Sequence, residues 1–331
     1  MNSSPLISVI VPNYNHEKYL KQRLDCIFNQ TYQNFEVILL DDCSTDNSRQ
    51  ILEKYAKNPK VSNCVFNDSN SGNTFIQWKK GIELAKGDFI WIAESDDFSS
   101  LEFLSKVSQP LLKDNEIVLS YCQSNRVNSQ GEITGSWSSQ TENLDSNPFE
   151  NDFILNGNTF IEKFLIFNNV IPNASAVLIR KNILLSLGDL VVEKKLKYCG
   201  DWLLYFKILL NHKVSFLPDS LNNFRYHSES VISTAVKNEK KISIIDVDIK
   251  MRKMMMDFLK KNKTGNYSSI IENNKKILNE EKYEKAFLYI QNKQKIKGIL
   301  LLITIFNFFR KKYKLEKKLL LKLKKIFLCF P

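Results

Sequence analysis

The chain lacks most of the features that declare a function outright. Only ten of its 331 residues are glycine, and the histidines number three, His16, His212 and His227. The first apolar run ends in Pro12-Asn-Tyr-Asn15 and not in G-x-G-x-x-G, so the glycines that let a backbone approach a pyrophosphate are missing. That argues against a dinucleotide-dependent oxidoreductase. The six cysteines (Cys26, Cys43, Cys64, Cys122, Cys199, Cys329) form no C-x-x-C pair and have no histidines at zinc-ligand spacing. A disulfide framework or zinc module is therefore not expected, and a reducing compartment is. The longest apolar stretch, Ile299 to Phe306 with Phe308 and Phe309, falls short of the roughly 20 residues that span a bilayer. The N-terminus shows no basic start followed by a long apolar stretch, so the expectation is a cytoplasmic protein.

Charge of one sign is also scarce where it would matter. The net charge is +11, but twelve of the 47 Lys/Arg and only one of the 36 Asp/Glu (Glu316) lie from Lys293 onward. Thirty-five of each sign remain in the rest. A neutral body with a basic tail lacks the footprint of a nucleic-acid binder, and no nucleic-acid partner is expected. What is present is an ordinary globular mix, 43% hydrophobic and 25% charged, long enough for one large domain or a medium domain with an appendage.

Periodicity then organises the first hundred residues. Leu6–Val11 reads as a buried strand, Lys18–Asn29 as a helix with Leu20, Leu24, Ile27 and Phe28 on one face, and Phe35–Leu40 as a second strand. A helix carrying Ile51, Leu52 and Tyr55 follows, with Asp46 as its N-cap. Strand Val61–Phe66, turn Asn70–Asn73, helix Thr74–Ala85 and strand Asp88–Ala93 complete a β-α-β-α-β-α-β alternation. Such alternation predicts an α/β fold with a mostly parallel twisted sheet flanked by helices, ligands binding beyond the carboxyl ends of the strands. Further on come helix Leu101–Leu112, strand Ile117–Cys122, a polar loop Asn125–Asp152 suited to acceptor contact, helix Gly157–Phe167, strand Ala174–Ile179, helix Asp201–Leu210 and strand Val214–Leu217. From about Ser233 the pattern is helical and lysine-rich.

Two acidic pairs fall at strand ends. Asp96-Asp97 offers hard oxygen ligands for magnesium or manganese on a diphosphate; alternatively it caps and charges the next helix. Asp41-Asp42 could likewise cap the next helix, or hydrogen-bond a base or ribose. Carboxylates converging on one sheet edge repel one another unless a cation or a donor-rich ligand compensates, and a nucleotide with its metal supplies both.

With these motifs in order, the chain resembles the family 2 glycosyltransferases of the type A nucleotide-sugar-binding fold. The matching stretches are ISVIVPNYNHEKYL (7–20), NQTYQNFEVILLDDCSTDNS (29–48), QWKKGIELAKGDFIWIAESDD (77–97) and, more weakly, YCGDW (198–202) and FRYHSESVIS (224–233). The resemblance implies that Pro12, Tyr14 and Asn15 line the nucleotide pocket with Glu17 beside them, and that Asp42 accepts a hydrogen bond from the base. Asp97 is then the principal metal ligand, with Asp96 on the ribose or a metal-bound water. The family's acid-x-acid motif is matched imperfectly by Ser95-Asp96-Asp97, whose first position is not an acid. Asp201, opening a helix after Gly200, matches the general base; the alternative is a helix-capping aspartate. Arg225 and His227 match an Arg-x-His element near the diphosphate, His227 as a metal or phosphate group and Arg225 on phosphate oxygens or on an internal acid. Gln77-Trp78-Lys79 resembles a helix that faces the donor sugar, although Trp78 also reads as core.

The resemblance therefore implies an inverting glycosyltransferase using Mn2+ or Mg2+ and a UDP- or dTDP-sugar, and extending a glycan or lipid-linked acceptor of a surface polysaccharide such as capsule or lipopolysaccharide. A catalytically weak nucleotide-sugar-binding module is the other reading. The expected organisation is a catalytic domain over 1–232, with a nucleotide-sugar half (1–115) and an acceptor half (116–232), and a helical basic extension over 233–331. In that extension the short apolar run beside Lys317–Lys325 suits an anionic membrane interface, which would make the protein peripheral at the inner face of the cell membrane. A core helix with a solvated basic end is the alternative.

Overall fold

The structure, a computed structural model, describes residues 4–144, 147–188, 196, 199–226, 241–262 and 265–312. The chain divides into two compact units, Met1–Lys237 with Thr264–Tyr267, and Asn238–Lys263 with Ser268–Pro331.

In the first unit the alternation read from the sequence forms as expected. Strands β1 (Ile7–Asn13), β2 (Phe35–Asp41), β3 (Val61–Phe66) and β4 (Phe89–Ile92) are separated by helices α1 (Glu17–Phe28), α2 (Ser48–Tyr55) and α3 (Thr74–Leu84). Every residue of β1, β2 and β4 is buried, which is why they read as largely apolar runs, and the interior exceptions Ser8 and Glu36 satisfy each other at 2.6 Å; β3, at the sheet edge, is only half covered. These strands pair in parallel in the order β3-β2-β1-β4. Helix α3 lies close on β1 because position 81 is glycine: a Cβ there would stand 2.3 Å from Ile10 Cγ2.

The second half departs from the mostly parallel expectation. After β5 (Phe98–Ser99) and α4 (Phe103–Lys113), the chain forms β6 (Ile117–Val127), β7 (Ile133–Ser136), β8 (Phe153–Asn156), the single turn α5 (Gly157–Phe160), β9 (Val177–Arg180), α6 (Lys181–Ser186), α7 (Gly200–Leu209) and β10 (Lys213–Arg225). The sheet continues β4-β9-β6-β10-β5, with β9 antiparallel to both neighbours and β10 parallel to β6 but antiparallel to β5 and β8. The sheet is therefore mixed.

Three further expectations change. The polar stretch 125–152 is no open loop: β6 runs to Val127 and turns back as β7, and short helical turns follow at Trp137–Gln140 and Pro148–Glu150. The helix expected over 157–167 is one α turn followed by a π turn, Ile161–Leu165. The strand expected over 214–217 extends to Arg225, passing Pro218 at a register shift against β6, where a residue without an N–H fits. Asp46 does not occupy the cap position of α2, which is Asn47; its carboxylate instead accepts from Ser48 N and Glu17 N, both at 2.9 Å, joining the starts of α2 and α1.

The second unit contains α8 (Lys241–Lys261), α9 (Ser268–Gln291) and α10 (Lys295–Lys312). Ile245, Ile249, Met255, Leu259, Ile270 and Ala286 are buried, and Arg252 is buried on an ion pair with Glu281 and a hydrogen bond to Asn274. Helix α10 is apolar on an exposed face: Ile296 is 76% and Ile303 65% exposed, with Ile299, Leu300 and Phe306 between half and two-thirds exposed. Among the described residues no helix is long and apolar enough to cross a membrane.

Candidate active site

Strands β1, β2 and β4 end at one edge of the sheet, and the loops that leave them carry the polar side chains. At the end of β1, Asn13 Nδ2 donates to Asp41 Oδ1 (2.8 Å), and two residues on Asn15 adopts a left-handed backbone, φ 56°. That conformation lets Asn15 Oδ1 accept from Thr45 N (2.7 Å), so the loops after β1 and β2 are laced together. Glu17 Oε2 accepts from Asn47 N and Nδ2 at 2.6 and 2.7 Å, tightening the same join. Pro12 is buried in β1 opposite Leu40. Of Pro12, Tyr14, Asn15 and Glu17, Tyr14 is the exposed one, at 44%, and so offers an aromatic face at the rim.

Asp42 is buried and well supplied with donors. Its oxygens accept from Asn67 Nδ2 (2.7 Å), Ser71 N (3.0 and 3.1 Å), Ser71 Oγ (2.7 Å) and Gln77 Nε2 (2.8 Å). A carboxylate has about four acceptor sites, so in this structure Asp42 fastens the loop between β3 and α3, and a base would take the place of one of these donors. Gln77 thus faces Asp42. Trp78 is core, but its Nε1 donates to Glu94 Oε1 at 2.7 Å.

The acidic turn after β4 brings Glu94, Asp96 and Asp97 together. Asp97 is buried: Oδ1 accepts from Arg225 N (2.9 Å) and Oδ2 from Asn173 Nδ2 (3.2 Å). Burial first and the Asp96 charge second push its carboxyl well above the usual aspartate range. Burial and Asp96, with a smaller contribution from Asp97, push Glu94 up to about 8 against the hydrogen bond from Trp78. Mutual repulsion among three carboxylates is the signature of a site short of positive charge, and their hard oxygens suit Mg2+ or Mn2+. Among the described residues no three His, Cys, Asp or Glu side chains are gathered closely enough to hold a metal by themselves, so diphosphate oxygens would have to complete the coordination.

Sequence reasoning missed two residues here. Glu94-Ser95-Asp96 is the acid-x-acid spacing, one position before the triplet that was compared with it, so the signal was present for Glu94. His16, just before α1, sets its Nδ1 2.8 Å from Ser95 Oγ, and nothing in its sequence context marked it.

Arg225 differs from expectation. It is almost wholly buried; Nε donates to Asp96 O (2.8 Å), Nη1 to Asn128 O and Ser129 O (both 3.0 Å), and Nη2 to Gln22 Oε1 (2.8 Å). Four of its five N–H groups are thus engaged within the protein, which makes it a strut of the acidic turn and not a free phosphate clamp. His227 lies outside the described residues.

Asp201 opens α7. Its Oδ1 accepts from Trp202 N (2.8 Å) and its Oδ2 from Asn169 Nδ2 (3.4 Å). These donors favour the charged form, but burial outweighs them and the carboxyl is pushed up to about 6. Tyr205, one turn along the same helix, is buried, and its hydroxyl feels the charges of both Asp201 and Glu94.

The family profile described as Glycosyl transferase family 2 matches residues 8–174, half of the chain. The chain belongs to this family. Among its relatives, Glycosyltransferase GlyG of Streptococcus pneumoniae is 39% identical over 35% of this chain and 38% of its own length. Poly(ribitol-phosphate) beta-N-acetylglucosaminyltransferase TarS of Staphylococcus aureus is 30% identical over 64% of this chain and 34% of its own. The chain thus spans 34–46% of the length of GlyG, TarS, the teichuronic acid transferase TuaG of Bacillus subtilis and a Haemophilus influenzae glycosyltransferase. The structure of S. aureus TarS 1–349 in complex with UDP-GlcNAc superposes with a TM-score of 0.60, at 19% identity and 88% coverage of both chains. Mannosyltransferase PcManGT from Pyrobaculum calidifontis, in complex with GDP-Man and Mn2+, superposes at 0.57 with 14% identity, covering 92% of this chain and 76% of that one. These likenesses establish a shared fold, the mixed α/β sheet with flanking helices of the family 2 glycosyltransferases.

Proposed function

We propose that this family 2 chain transfers a sugar from a nucleoside diphosphate, UDP- or dTDP-linked, to a glycan or lipid-linked acceptor in cell-surface polysaccharide synthesis, with inversion at the anomeric carbon. The observation that carries the proposal is the acidic turn at the carboxyl end of β4, where Glu94 and Asp97 are pushed up by burial and by the neighbouring Asp96 charge, a repulsion that the cation of a nucleoside diphosphate would relieve. Poly(ribitol-phosphate) and teichuronic acid transferases among the relatives support the polysaccharide class.

In this reading Pro12, Tyr14, Asn15, Glu17 and Asp42 form the nucleotide pocket, Tyr14 against the base and the others as the laced wall behind it. Asp97, with Asp96 and Glu94, would hold Mn2+ or Mg2+, whose charge offsets that of the leaving diphosphate. Arg225 and Asn173 keep Asp97 in place. Asp201 takes the proton from the acceptor hydroxyl as that oxygen attacks the anomeric carbon from the face opposite the diphosphate, and a single displacement of this kind inverts the configuration. The test is a panel of nucleotide sugars assayed for Mn2+-dependent thermal stabilisation. The matching donor at about 100 times its Kd adds roughly 2.7 kcal/mol, a rise of several degrees for a domain of this size. No shift with any donor would sink the assignment.

The catalytic domain in this reading covers 1–232 and the extension 233–331. The exposed stripe Ile296, Ile299, Leu300, Ile303 and Phe306 on α10, with Lys293, Lys295, Lys297 and Arg310 around it, supports peripheral attachment to an anionic inner-membrane surface. The expected result is that Ile299→Glu with Ile303→Glu releases the protein from phosphatidylglycerol liposomes in a sedimentation assay while donor hydrolysis continues. Equal sedimentation of variant and parent would refute the attachment.

A further inference from the structure

Arg23 is fully buried on α1, yet it lacks the company a buried guanidinium normally keeps. Its Cζ lies 4.8 Å from the centroid of the Trp91 ring, and Nη1 reaches only Cys26 Sγ at 3.9 Å. Among the described residues Nε and Nη2 have no hydrogen-bond acceptor at all. Stacking on Trp91 satisfies one face of the cation but not its dry N–H groups, and a buried charge without a counter-charge in reach is too costly to be a packing accident.

Compensation comes at longer range, from acids with which Arg23 makes no hydrogen bond among the described residues. Trp91 lies three residues before Glu94, and its Nε1 donates to Ser175 O (2.9 Å), while Ser175 Oγ accepts from Glu94 N (3.2 Å). On the other side Cys26, three residues after Arg23, accepts at Sγ from Ser99 N, two residues past Asp97. Arg23 is therefore wedged between the two strand segments that bracket residues 94–97. Its positive charge acts on both Glu94 and Asp97, in each case favouring the anion. With Arg225 donating to the backbone of Asp96, two buried guanidinium groups stand beside the three acidic side chains and offset part of their charge.

We infer that Arg23 is the built-in counter-cation of the acidic turn, a positioning residue that keeps Glu94 and Asp97 together and suppresses capture of a bare divalent ion, so that the metal enters with the nucleoside diphosphate. The inference rests on the reading that this turn takes the donor's cation. A free turn of full charge would bind any divalent ion; one held near neutrality gains affinity only when diphosphate oxygens arrive with the metal.

The experiment is calorimetry on the full chain with Mn2+ alone, UDP alone and the two together. The parent should bind Mn2+ alone weakly and Mn2+ with UDP well. Arg23→Gln should bind Mn2+ alone at least about tenfold more tightly, because one buried positive charge no longer opposes it, and UDP without metal more weakly. Arg23→Lys, which keeps the charge, should leave both affinities within about threefold. A purely structural arginine would lower both affinities in the glutamine variant, so unchanged or weaker Mn2+ binding there overturns the proposal. If Arg23→Gln does not fold, Arg23→Gln with Glu94→Gln removes one charge of each sign and should fold; a double variant no better than the single one also overturns it. A parent that binds no Mn2+ even with UDP removes the donor-site reading itself, and the role of Arg23 with it.

Discussion

Replacing Asp201 with asparagine should lower the rate of sugar transfer on the order of 10²- to 10⁴-fold while leaving nucleotide binding unchanged, the range a positioned general base contributes. Asparagine has nearly the same volume, and its carbonyl can still accept from Trp202 N, so the start of α7 should keep its form. The pH dependence identifies the group. An exposed aspartate ionises near 3.8, but burial raises Asp201 to about 6, so between those values it still holds the proton that a base must not hold. Transfer should rise with pH through about 6 and level off above 7, and in Asp201→Asn the residual rate should lose that limb. Retained transfer in the variant would remove Asp201 from the chemistry. A parent chain that binds donor but transfers to no acceptor would favour a nucleotide-sugar-binding module.

The first four strands were legible in the sequence for a physical reason. Strands covered on both faces must be continuously apolar, and the helices between them must show a 3.6-residue period, so Leu6–Ala93 carries its architecture in local pattern. The second half does not. β9 has four residues and reads equally well in either direction, while β10 passes a proline and three register shifts before it reaches Arg225. Which neighbours such strands take is decided by packing between residues 56 to 125 positions apart, which no window of sequence displays.

The same division holds for the site. Asp97 and Asp201 stand in motifs, so the sequence nominates them; Glu94 lies one position outside the Ser95-Asp96-Asp97 triplet. Arg225 shows the limit most clearly, because the carbonyls that engage its guanidinium belong to Asn128 and Ser129, 97 and 96 positions away. No spacing rule could anticipate them. Nor could it anticipate that Trp78, read as core, also holds Glu94 by its indole N–H.

Asp97→Asn should abolish Mn2+-dependent stabilisation by the nucleotide and reduce transfer by at least about two orders of magnitude, since a catalytic cation contributes several kcal/mol. The substitution is more disruptive than its size suggests. Its oxygen can still accept from Arg225 N, but its amide then meets Asn173 Nδ2, donor against donor. Asn173 cannot turn over without loss, because its Oδ1 already accepts from Ala176 N and Asn222 Nδ2. An unsatisfied pair of this kind costs about 1–3 kcal/mol. Against that stands relief of repulsion. The folded-state carboxyl of Asp97 titrates above its unfolded value, so the ionised form weighs against the fold, and this penalty grows as pH rises from 3.8 through the raised folded value. At pH 8 the two effects oppose, and the metal-free variant should melt near the parent temperature; at pH 5, where the relief is smaller, it should melt below the parent. Asp96→Asn, whose side chain is only half buried, should melt near the parent at both pH values and lose less of the nucleotide-dependent shift. Equal loss in the two variants would show that Asp96 and Asp97 share the cation equally, against the principal role given to Asp97.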